Sequence, residues 1–124
     1  MTSPLACGID ILEIERMTAA IQRHGERLLQ RVFTPGELAD VGQNPASLAA
    51  RFAAKEAVAK TLGTGIGEIA WREIEIRRGP EKEPILHLYG DAAKLAAELG
   101  FTHWAISLSH SHSHAIAMAI ATGE

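Results

Sequence analysis

An internal disulfide is excluded at the outset, because the chain has a single cysteine, Cys7. Set among apolar residues, that thiol is expected to be buried and inert, and its solitude fits a reducing compartment, the cytoplasm. Long apolar runs are missing as well: none approaches the roughly 20 residues that cross a bilayer. Met1-Thr2-Ser3-Pro4 lacks a basic region followed by an apolar one, so neither a membrane span nor a secretory leader is expected. Positive charge is scarce, with 12 Lys and Arg against 15 Asp and Glu and a net charge of -3. This balance excludes a broad nucleic-acid surface but leaves enough cations for one nucleotide pocket. What is present, 124 residues of 47% hydrophobic and 22% charged composition, suits one soluble domain spanning residues 1–124. It contains no repeat or linker.

Patterning fills that domain. Leu5, Cys7, Ile9 and Ile11 alternate with Ala6, Gly8 and Asp10, predicting a strand over 4–12 with Asp10 pointing away from the isoleucine face. Ile14, Met17, Ile21, Leu28 and Val32 approximate one apolar helical stripe, weakened at His24-Gly25. Thr34-Pro35-Gly36-Glu37 reads as a capping box opening a short helix that Asn44-Pro45 ends. Ser47 is the expected cap of an alanine-rich helix running to Leu62, with Gly63 as its left-handed stop. Three glycines within Gly63 to Gly67 require a loop. Trp71 to Arg77 and Ile85 to Tyr89 read as a hairpin turned at Gly79 to Pro84, and Asp91 as the cap of a helix closed by Gly100. Two alternating segments, Trp104 to Ser109 and Ile116 to Ile120, flank a Ser/His-rich turn. The order predicts an α+β domain with a mostly antiparallel sheet packed against the long helix.

Three features could carry chemistry, each with a plainer reading beside it. Asp10 ends an apolar strand, where an aspartate commonly caps a helix or braces a turn. Glu56 and Lys60 share a helix face, the spacing of a surface ion pair. That face also carries Ala49, Phe52 and Ala53, and a carboxylate beside apolar surface wants a partner or a metal. In Ser107-Leu108-Ser109-His110-Ser111-His112-Ser113-His114, an extended run would align three imidazoles suited to zinc. A tight turn would scatter them and leave hydroxyls and a histidine suited to an anion. The glycine cluster alone indicates a flexible turn, because its spacing matches no phosphate-loop fingerprint.

Taken together and in order, these segments resemble the holo-acyl-carrier-protein synthase family. The resemblance runs from Gly8-Ile9-Asp10-Ile11 with Glu13, Glu15 and Arg16, through Phe33-Thr34-Pro35-Gly36-Glu37-Leu38, to Arg51-Phe52-Ala53-Ala54-Lys55-Glu56-Ala57-Val58-Ala59-Lys60. It continues through Leu62-Gly63-Thr64-Gly65-Ile66-Gly67 and ends at Ser107-Leu108-Ser109-His110. It implies the 4′-phosphopantetheinyl transferase fold and transfer of phosphopantetheine from coenzyme A to a serine of an apo acyl-carrier protein, or of the carrier domain of a fatty-acid or polyketide synthase. By the same resemblance, Asp10 and Glu56 match Mg²⁺ ligands, and Lys60 matches a residue at the pyrophosphate, with Glu56 and Lys60 catalytic. Arg51 and Ser109-His110-Ser111 match contacts to coenzyme A phosphates, while Gly63, Gly65 and Pro84 resemble parts of its nucleotide pocket. A homotrimer with sites between subunits is implied too. The chain departs from the pattern at Lys82-Glu83-Pro84, where the family often has Gly-Lys-Pro, and in the alternating Ser-His run after His110. Arg16, Arg23 and Arg27 could steer an acidic carrier helix, or form a solvated face. A zinc module on the histidine run and a catalytically silent interaction protein are the readings from other classes.

Overall fold

The computed structural model describes residues 4–123; the leader reading falls largely on Met1–Ser3, outside them. Strand β1 (Leu5–Glu13) leads directly into helices α1 (Ile14–His24) and α2 (Glu26–Val32), which Gly25 separates at φ 56°. Helix α3 (Pro35–Val41) begins at the expected capping box, complete in both directions at Thr34 and Glu37. The long helix α4 spans Pro45–Thr61. Its cap is Asn44, whose side chain accepts from the Ser47 amide at 3.0 Å, so Ser47 is the donor and not the cap. Placing proline first in the helix moves the start upstream, because Pro45 has no N–H to leave unpaired. Gly63 stops the helix with φ 77°, as the sequence requires.

A short 3₁₀ turn, Trp71–Glu73, takes the place of the start expected for the next strand. Strands β2 (Ile74–Arg78) and β3 (Pro84–Leu88) form an antiparallel hairpin, and α5 spans Gly90–Glu98. Asp91 does not cap α5. Glu73 reaches across from the preceding turn and accepts from the Ala92 amide at 3.0 Å, doing that work from a distance. Strands β4 (His103–His110) and β5 (His114–Thr122) complete a three-stranded antiparallel sheet of order β1-β5-β4, separate from the β2–β3 hairpin.

The helix packs on the sheet through small residues. Ala53, Ala57 and Val58 of α4 and Ala117 and Ala119 of β5 share one core cluster, and Gly8 of β1 faces Ala57 so closely that a methyl group there would lie 2.8 Å from Thr61 Oγ1 and nearer still to the Ala57 carbonyl oxygen. A second cluster joins Met17, Leu29, Val32 and Phe33 to Leu48 and Ala49. Because alanines and Gly8 occupy the helix side of β5 and of most of β1, the large alternating residues there point the other way, whereas Trp104, Ile106 and Leu108 of β4 pack inward against the core. Leu5 is 76% exposed and Ile9 55%, with Ile11, Met118 and Ile120 beside them. Cys7 belongs to this outer face and is exposed, which corrects the expectation of a buried thiol: strand alternation puts it on the side opposite Gly8.

Candidate active site

Strand β1 aims Asp10 at α4, and the close Gly8–Ala57 approach brings the last turns of that helix against it. Lys60 Nζ lies 3.0 Å from Asp10 Oδ1 and 2.9 Å from the Ile9 carbonyl oxygen. That carbonyl lies on an edge strand of the sheet, so a side chain can reach it. Glu56, one turn before Lys60, is half-buried, and its carboxyl is pushed above the ordinary carboxylate range. Burial is the main cause, the charge of Asp10 adds to it, and Lys60 opposes both. Two carboxylates and a lysine from the two facing elements therefore gather at one place. Lys60 makes its direct contact with Asp10, while its charge still bears on Glu56.

The donor set suits magnesium. The charge of Asp10 bears on the half-buried Glu56 carboxyl, a setting that favours a cation, and Mg²⁺ characteristically takes one or two carboxylates and completes its shell with waters and phosphate oxygens. No three His, Cys, Asp or Glu side chains converge to hold a metal among the described residues. The histidine run itself is divided: His110 ends β4, Ser111 to Ser113 turn, and His114 opens β5.

The remaining expected residues lie elsewhere on the chain. Arg51 sits nine positions before Lys60, about 13 Å back along the helix axis. It is buried against the hairpin, its Nε donating to the Ile76 carbonyl at 3.1 Å. Burial pulls its guanidinium pKa down, against the charge of Glu37. Ser109 is exposed on the outer sheet face, opposite Ile116. His110 Nδ1 lies 3.3 Å from the Ser111 carbonyl oxygen. The Ser111 hydroxyl accepts from the His114 and Ser113 amides at 3.1 and 3.3 Å, so it braces the turn. Pro84 borders a cleft of about 520 Å³ between the hairpin and β4, lined also by Ile85, Leu86 and Trp104. Gly63 and Gly65 lie in the loop just beyond α4.

One feature went unread in the sequence. Lys55 and Glu37 are both fully buried and pair at 2.8 Å. Lys55 also donates to the carbonyls of Trp71 and Ile74, and the second Glu37 oxygen accepts from the Ile76 amide at 2.7 Å. Every hydrogen-bonding atom is thus used, as a buried ion pair demands. The available signal was a lysine placed among the alanines of Ala53 to Ala59.

A family model described as the 4′-phosphopantetheinyl transferase superfamily matches residues 6–119. The chain belongs to that superfamily. It is 52% identical over 109 residues to the holo-[acyl-carrier-protein] synthase of Moorella thermoacetica, covering 86% of this chain and 84% of that one. The synthase of Herpetosiphon aurantiacus is 45% identical over 113 residues, covering 86% and 89%. The fold superposes with a TM-score of 0.85 on the Helicobacter pylori holo-[acyl-carrier-protein] synthase solved in complex with coenzyme A, at 30% identity over 93% of this chain and 98% of that one. The sequence resemblance to this family and the α+β architecture it implies are thereby established. No helix among the described residues is long and apolar enough to cross a membrane.

Proposed function

We propose that the protein transfers the 4′-phosphopantetheine group of coenzyme A to a serine hydroxyl of an apo acyl-carrier protein, releasing adenosine 3′,5′-bisphosphate. The observation that carries this reading is the gathering of Asp10, Glu56 and Lys60 where β1 meets α4, in a chain whose relatives are named for that synthase activity. The serine oxygen attacks the β-phosphorus of the pyrophosphate and the bond to the leaving phosphate breaks, so negative charge builds on phosphoryl oxygens. Asp10 and Glu56 would hold Mg²⁺, which supplies charge neutralisation at those oxygens and orients them. Lys60 provides a compact cation for the leaving phosphate. Glu56, kept above the ordinary carboxylate range, is the side chain suited to take the serine proton through an intervening water.

The coenzyme site is assembled between subunits of a homotrimer. Two observations support this. Within one chain Arg51 lies about 13 Å back along α4 from Lys60, and Ser109 is on the outer face of β4, two strands from β1 and opposite the face that carries Asp10. And the outer sheet face of Leu5, Ile9, Ile11, Met118 and Ile120 is an exposed apolar patch, the kind of surface that a partner covers. A second copy seated there brings the separated groups of neighbouring chains together around one coenzyme, with Arg51, Ser109 and His110 toward phosphates and Gly63, Gly65 and Pro84 toward the nucleotide. Arg16, Arg23 and Arg27, all exposed on α1 and α2, give the acidic carrier a basic landing surface. A cytoplasmic location is in keeping with the single, unpaired Cys7.

Intact-mass spectrometry of an apo acyl-carrier protein incubated with this protein, coenzyme A and Mg²⁺ tests the reading. A gain of one phosphopantetheine, lost with Asp10→Ala or Glu56→Ala in folded protein, is expected. No gain, on either a free carrier protein or an excised synthase carrier domain, refutes it.

A further inference from the structure

The contact between Lys60 and Asp10 sets a further condition on how the site fills. Lys60 Nζ is 3.0 Å from Asp10 Oδ1 and 2.9 Å from the Ile9 carbonyl oxygen, so the ammonium stands on the two oxygens that the strand presents at this edge. The Lys60 side chain is 52% exposed, and that of Asp10 only 21%. The partly buried oxygens are fixed to the strand, whereas the cation above them sits on a long, exposed arm. An ammonium 3.0 Å from the carboxylate competes with a divalent cation for it, because their like charges repel at such range. The stem that reaches Ile9 is a flexible four-carbon chain on the exposed side of α4, and the residues that pack this turn of the helix into the core are Ala57, Val58 and Ala59, each fully buried.

We propose that Lys60 is the resident cation of the carboxylate site, holding Asp10 until a divalent ion and the diphosphate arrive, and that metal entry and release of Lys60 to the diphosphate are one exchange. This rests on Asp10 being a metal ligand. Before coenzyme binds, the ammonium neutralises Asp10 and lowers the affinity for divalent ions. A coenzyme diphosphate offers the ammonium a better-charged partner, which frees Asp10 for the ion, so coenzyme and metal bind cooperatively and each strengthens the other equally. The lysine is thereby delivered to the leaving phosphate by the same event that loads the metal.

The test is Mn²⁺ binding to the coenzyme-free protein, followed by electron paramagnetic resonance, with parent, Lys60→Met, Lys60→Gln and Asp10→Asn compared after circular dichroism confirms folding. Lys60→Met and Lys60→Gln are expected to bind Mn²⁺ about three- to tenfold more tightly than the parent, and Asp10→Asn to lose the site. In a crystal of the parent loaded with Mn²⁺ alone, Lys60 Nζ must have left Asp10. Unchanged or weaker Mn²⁺ binding in both lysine variants, or an ion bound with the lysine contact intact, overturns the exchange while leaving the metal site standing. Unchanged Mn²⁺ binding in Asp10→Asn overturns the metal site itself, and the exchange with it.

Discussion

Replacing Gly8 with alanine tests how the fold sets the site. Gly8 faces α4, and a methyl group there would lie 3.1 Å from the Ala57 carbonyl carbon and 2.8 Å from Thr61 Oγ1. An ordinary carbon–carbon contact is about 3.5–4 Å. The carbonyl oxygen lies closer still, and it belongs to helix backbone that cannot rotate away, so β1 and α4 must part by about 1 Å. Overpacking of this kind costs about 1–3 kcal/mol. The larger consequence falls on function, because the parting occurs between the strand that carries Asp10 and the helix that carries Glu56 and Lys60. A displacement of about 1 Å in a catalytic constellation can cost about 100-fold in rate. Guanidinium unfolding followed by circular dichroism measures the first effect, and the initial rate of carrier-protein modification at saturating coenzyme A and Mg²⁺ measures the second. A folded Gly8→Ala protein with parental turnover and parental unfolding midpoint would refute the claim that close helix–strand approach builds the site.

Other perturbations separate the parts of the account. Glu37→Ala strands a fully buried lysine and should cost about 3–5 kcal/mol in urea unfolding, whereas Glu37→Leu combined with Lys55→Met should recover most of it; equal loss in both contradicts the pairing argument. The folded protein holds the Glu56 proton more tightly than the unfolded chain does, so stability should fall as pH rises through that titration. In metal-free buffer Glu56→Gln should therefore melt higher than the parent at about pH 7–8 and lose the advantage as the solution is acidified, and an advantage that grows toward low pH is the wrong sign. Ile9→Glu, on the exposed apolar face, should yield a folded monomer by sedimentation and lose transfer activity; retained trimers would show that this face is not the contact.

The sequence carried the elements well wherever the determinant was local. The capping box at Thr34, the left-handed stop at Gly63 and the alternation of β1, β4 and β5 all reappear in the structure. It carried less where a distant residue substitutes for a local one. Asp91 reads as a cap because nothing nearby reveals that Glu73 caps α5 from the 3₁₀ turn. Alternation also defines two faces of a strand without saying which is inside. On β1 and β5 the inside belongs largely to glycine and alanine, since an alanine-rich helix lies on them, and Ile9, Ile11 and Ile120 are left outward for another surface, while on β4 the large residues Trp104, Ile106 and Leu108 face in. From the residues alone the candidate site was legible as three separate side chains with plain alternatives. Their convergence was expected only through the family resemblance, because Asp10 and Lys60 are distant in sequence and local patterning does not say that β1 lies against the end of α4. The Glu37–Lys55 pair was hidden for a related reason: the capping role of Glu37 is local, but its second oxygen serves β2, far along the chain.

The most direct measurement is anomalous diffraction from crystals grown with Mn²⁺ and coenzyme A. The account requires one manganese peak touching the carboxylates of Asp10 and Glu56 and the coenzyme diphosphate, with Lys60 turned to a phosphate oxygen. A manganese ion bound away from both carboxylates, with a diphosphate that touches none of these three side chains, contradicts it.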